Sequence, residues 1–175
     1  METVIIFSVF VVLRIAENIK GKQIIPKPLF MLKFMITAAM TITLTVAALL
    51  LAPLKDNVYL FSMKNLSLHI IAPILAMIDF LMIDRGFEYK WKMTFLGFIL
   101  PLLYLAMTLL ISIKGVTYSN GTNYFLNYRE YGWFNLHGMP GVAWWILIVT
   151  VMAFAVTYLL LAFKRAVMKI QGIKD

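Results

Sequence analysis

The chain of 175 residues is 62% hydrophobic and 14% charged, with a formal net charge of +8 and no cysteine. Ordinary globular domains are about 45–50% apolar and about 25% charged, and a soluble fold of this length has no interior large enough for such an excess, which leaves lipid as the solvent. The lack of cysteine excludes disulfide scaffolds, thiolate metal sites and cysteine nucleophiles, and the cations fall between apolar segments rather than on one periodic face, which argues against a nucleic-acid surface.

Five apolar segments follow in chain order, at about 3–19, 34–54, 66–83, 93–113 and 141–163. Each is close to the roughly 20 residues that a helix needs to cross a hydrocarbon core of about 30 Å. The pattern predicts an all-α integral membrane protein with five transmembrane helices in one domain. The first segment has no basic residue before it, Arg14 and Glu17 follow its purely apolar part VIIFSVFVVL, and Lys20 comes after it. That order is the reverse of a signal peptide and predicts an uncleaved helix. Pro26 and Pro28 break the basic connection 20–33. The second segment carries Thr37, Thr41, Thr43 and Thr45, for which bonding to the preceding helical turn is the simplest account. The third, LSLHIIAPILAMIDFLMI, holds His69 and Asp79, with Pro73 four residues after the histidine. Tyr89 and Trp91 mark a membrane interface ahead of the fourth segment, in which Pro101 predicts a kink. The connection 114–140 is aromatic-rich, and the fifth segment ends in KRAVMKIQGIKD.

Lysine and arginine distribute unequally between the two sides of such a bundle. Twelve lie at 14–33, at 84–92 and at 164–175, against four at Lys55, Lys64, Lys114 and Arg129. The positive-inside rule then predicts the N-terminus outside and the C-terminus in the cytoplasm. In this frame His69 sits near the outer surface and Asp79 near the inner one, about 15 Å apart along a helix.

A histidine beside a hydroxyl near the headgroups is the minimum of a nucleophile–base pair. The alternative is a histidine that hydrogen-bonds a neighbouring helix or interfacial water. His137, in NLHGMPG, reads as a loop residue at a helix start, and two histidines without a third ligand make a poor metal site. No cofactor is expected. Asp79 and Asp84 are expected to form interfacial ion pairs with Arg85, Lys90 or Lys92, a buried proton relay at Asp79 being the sharper alternative.

LKFMITAAMTITLTVAALLLAP and LSLHIIAPILAMIDFLMID, with PLLYLAMTLL and YFLNY further on, resemble the bacterial branch of the androgen-induced-protein-like membrane family. The resemblance extends from about residue 7 to 165. It implies a multi-pass hydrolase of fatty acid esters of hydroxy fatty acids, with a membrane-embedded threonine as nucleophile and a histidine as its base. The histidine of that pair falls on His69 and the threonine on Thr3. The chain departs from the family by lacking the helix before that threonine and by following Thr3 with VIIF.

Two functions are therefore expected. In the first, a lipid or fatty-acyl ester is hydrolysed by Thr3 and His69 in a bacterial cell membrane. In the second, a non-catalytic membrane protein binds lipid or partner proteins, as a monomer or an oligomer.

Overall fold

The computed structural model describes residues 27–52, 62–83, 90–114, 132–138 and 140–172. All regular structure among the described residues is helical. Four continuous helices result. Helix α1 covers residues 27–51, as an α-helix from Lys27–Val46 that widens into a π turn at Ala47–Leu51. Helix α2 covers 63–83, α3 covers 91–114, and α4 is Val142–Ile170.

Three of these are long and apolar enough to cross a membrane: Lys27–Leu50, Lys92–Lys114 and Val142–Ile170. The apolar part of α2, Ser67–Met82, is shorter. The expectation of five transmembrane helices is thereby corrected to three long spans and one shorter apolar helix among the described residues. The apolar helix formed in the third segment, Ser67–Met82, falls short of the roughly 20 residues needed to cross a hydrocarbon core. The segment 3–19 lies outside the described residues, and with it the placement of the N-terminus outside, which requires an odd number of crossings.

Helix α1 is the centre of the bundle. Half of its apolar window is buried, against 17% for α3 and 22% for α4. Its buried residues, Phe30, Lys33, Phe34, Ile36, Thr37, Ala38, Met40, Thr41 and Ile42, face more than one direction, as a helix surrounded by others requires. The core runs in three layers along the bundle. At one end Phe30, Phe34 and Ala38 of α1 meet Phe80 of α2, Met93 of α3, and Leu160 and Leu161 of α4. In the middle Ile36 and Met40 pack on Ala76. At the far end Val142 and Trp145 of α4 gather Leu50, Leu105 and Leu109. Starts of α1 and α3 thus meet ends of α2 and α4, so successive helices run antiparallel.

Prolines shape the winding of α2 and α3. Pro73 has no N–H to offer the carbonyl of His69, four residues earlier, and its ring crowds that carbonyl. The backbone responds with a π turn over Leu66–Ile71, in which the N–H of Ala72 donates to the carbonyl of Ser67, five residues back. The α-helix resumes at Ala72–Ile78 with Pro73 in its first turn, where a missing N–H is tolerated. Helix α3 solves the same problem differently. It begins as a 3₁₀ helix, Trp91–Phe98, and becomes α-helical at Ile99–Lys114, again placing Pro101 in the first α turn.

Gly97 lets three helices close. A Cβ there would lie 2.4 Å from Cγ2 of Thr157 and 3.3 Å from Cβ of Ala38. Lipid chains are as apolar as leucine, so helices in a bilayer gain from such close packing rather than from exclusion of water.

Candidate functional site

The densest gathering of chemistry surrounds the end of α2, where Asp79, Phe80 and Leu81 each meet a different neighbour. Asp79 pairs with Lys33 of α1, whose side chain is 3% exposed against 25% for Asp79. The Lys33 amine is thus taken out of solvent, where an ion is stable only when paired. Leu81 offers its carbonyl to the Nζ of Lys164 at 2.9 Å. Lys164 is fully buried, and its Nζ also lies 5.7 Å from the Phe80 ring centroid. The last carbonyls of a helix lack intrahelical partners and carry partial negative charge, so a cation from α4 completes the end of α2. Gln171 adds a second donor, from Nε2 to the carbonyl of Met82 at 3.3 Å. Phe30 and Phe34 flank Phe80 with ring centroids 5.6 and 5.8 Å away, which walls the charges off with aromatic surface.

This arrangement corrects the expected partners of Asp79. The ion pair is made with Lys33, which the sequence reading placed in a connection, and not with Lys90 or Lys92, which are near the start of α3. Pro28 was read as a break, yet it occupies the first turn of α1, where proline fits a helix start. Asp84 and Arg85 lie outside the described residues. Lys164 lies just past the expected fifth segment, 141–163, whereas α4 continues to Ile170 and buries it. The signal available beforehand was the pairing of a lysine near the start of one helix with an aspartate near the end of the next, which an antiparallel hairpin brings to one level.

His69 lies in the π turn of α2, at the opposite end of that helix from Asp79; it is half-buried, and its Nδ1 is buried. The π turn is explained by Pro73 and the backbone carbonyl at position 69, whichever side chain that residue carries. His137 is exposed in the turn before α4. Its backbone N–H donates to Oδ1 of Asn135 at 3.0 Å, and its carbonyl accepts from Nδ2 of the same residue at 3.2 Å. This turn folds over the start of α4: the N–H groups of Gly141, Val142 and Ala143 donate to the carbonyls of Asn135, Gly132 and Trp133. Gly141 is needed there because a Cβ would sit 2.5 Å from the Trp133 carbonyl oxygen.

Thr3 lies outside the described residues. Five of the helix-borne threonines hydrogen-bond within their own helices. Thr41 donates to the carbonyl of Thr37 at 2.7 Å, Thr43 to that of Ala39 at 3.0 Å and Thr45 to that of Thr41 at 2.8 Å. Thr157 donates to Ala153 at 2.8 Å, and Thr108 to Tyr104. A hydroxyl whose proton is held by a backbone carbonyl is not presenting that proton to a base.

The hydrolase expectation is corrected on these grounds. Among the described residues there is no strand, hence no strand–turn–helix elbow of the kind that presents a hydrolase nucleophile. Hydrolase and lipid-metabolism roles therefore have no structural support. Among the described residues no three His, Asp or Glu side chains come together in a metal-binding group. No family model, curated protein or solved structure matches this chain. The likeness to the androgen-induced-protein-like family accordingly rests on its short motifs, of which Pro73 and Asp79 have accounts in helix winding and helix pairing.

Proposed function

We propose that the chain is a non-catalytic integral membrane protein whose helical bundle binds lipid or a protein partner within the membrane. The observation that carries this reading is the engagement of its polar groups: the hydroxyls of Thr41, Thr43, Thr45, Thr108 and Thr157 bond their own helices, Asp79 holds Lys33, and Lys164 completes the end of α2. Its outward surfaces are apolar instead. Leu103, Tyr104 and Leu110 on α3, and Leu147, Val151 and Phe163 on α4, are all more than half exposed. The resemblance to a bacterial branch points to a bacterial cell membrane as the host.

Purified protein treated with a long-chain fluorophosphonate probe tests the reading, with intact mass and peptide mapping as the readout. Folded protein is expected to take up no label and to turn over no fatty-acyl ester. A labelled threonine, whether Thr3 or one on α1, would establish covalent ester chemistry and remove the proposal.

A further inference from the structure

Charge is gathered at one end of the bundle. The starts of α1 and α3 and the end of α4 carry Lys27, Lys90, Lys92, Arg165 and Lys169, besides the two buried lysines. Asp79 is the single carboxylate among the described residues, and it is engaged by Lys33. By composition the 84–89 connection adds two acids and one arginine, which leaves the surplus of cations in place. The opposite end has a much smaller share of the cations, Lys64 and Lys114 among the described residues. The packing of Phe30, Phe80, Met93 and Leu160 into one cluster brings these four chain ends together, so the cations surround a common centre.

Exposed apolar side chains lie directly beneath them. Phe95, 57% exposed, is three residues from Lys92, and Phe163, 60% exposed, is six residues from Lys169. At the 3₁₀ and α-helical rises these separations are about 6 and about 9 Å. A ligand reaching both the cations and this surface has an anionic head and an apolar tail. A soluble anion would use the cations alone.

We propose that this end binds anionic phospholipid headgroups, with the acyl chains lying along the exposed faces of α3 and α4; the proposal rests on the non-catalytic reading above and names the lipid class. Lys90, Lys92 and Lys169, all exposed, supply attraction that neutral lipid does not feel. The test is native mass spectrometry of the protein in dodecylmaltoside with added dioleoylphosphatidylglycerol or dioleoylphosphatidylcholine. Phosphatidylglycerol is expected to bind at least about tenfold more tightly, given three or more cations near the headgroup. The triple variant K90Q/K92Q/K169Q should lose that preference, K90R/K92R/K169R should retain it, and K114Q at the other end should leave it unchanged. Circular dichroism of each variant establishes that it is folded, and the arginine variant preserves the test if the glutamine one is not. Equal binding of the two lipids, a preference that survives in a folded glutamine variant, or displacement of phosphatidylglycerol by equimolar inorganic phosphate would each overturn the proposal. Ester turnover measured on the same sample separates the two readings. Turnover removes the non-catalytic one, whereas loss of lipid preference without turnover removes only this one.

Discussion

At the scale of single residues, the Lys33–Asp79 pair is the feature with the largest consequence. A lysine only 3% exposed is stable as an ion because a carboxylate faces it. Removing one member leaves the other as an uncompensated charge, a loss of about 3–5 kcal/mol, whereas replacing both by apolar side chains of similar volume is near neutral. Asp79→Ala is therefore expected to destabilise the bundle by about 3 kcal/mol, and K33M/D79L to recover most of that. Reversible unfolding in mixed micelles measures both, and an Asp79→Ala variant as stable as the parent would show the pair to be dispensable. The two residues were visible in the sequence, and an antiparallel hairpin sets them at one level, but the reading missed the pair. Lys33 was assigned to a connection because Pro26 and Pro28 look like breaks until the helix is known to begin at Lys27.

Individual elements show how much winding proline can redirect without ending a helix. Pro73 turns part of α2 into a π segment, and Pro101 lies in the first α turn after a 3₁₀ stretch. The close approach of α1, α3 and α4 at Gly97 gives the sharpest test at this scale. Gly97→Ala drives a methyl into Cγ2 of Thr157 and is expected to cost about 1–3 kcal/mol. Thr157→Ser removes that methyl while keeping the hydroxyl bond to Ala153. The double variant G97A/T157S should thus be more stable than the sum of its single changes by about 1 kcal/mol. A double-mutant cycle measured by thermal unfolding checks this, and strict additivity would mean that the helices part at this point.

For the whole molecule, the exposed faces of α3 and α4 decide what solvent surrounds it. Val151 is 60% exposed near the middle of the apolar part of α4. On the surface of a water-soluble bundle, Val151→Lys would change stability by less than about 0.5 kcal/mol. In a bilayer it should disfavour insertion by about 2.5–3.5 kcal/mol. Glycosylation-reporter insertion assays on α4 distinguish the two, and an unchanged insertion efficiency would argue that this face is covered by protein. The span count belongs to this scale too. The segments expected at 34–54, 66–83, 93–113 and 141–163 overlap α1 to α4, with ends shifted by as much as seven residues. Hydropathy did not show that α2 has too short an apolar part to match the others.

The sequence by itself determined the solvent, the helical class and the antiparallel order of these four helices, because apolar length and charge placement are local properties of the chain. The role of the threonines was also legible: a hydroxyl one turn from a carbonyl needs no distant partner. What only the tertiary structure decided is where the charges go. Lys33 reaches Asp79, and Lys164 reaches the carbonyl of Leu81 across 83 positions of sequence, because helix packing brings them together. No periodicity encodes such a meeting. It depends on which helix lies at the centre, and Gly97, Ala38 and Thr157 set that through close contact that becomes apparent only once the helices are packed.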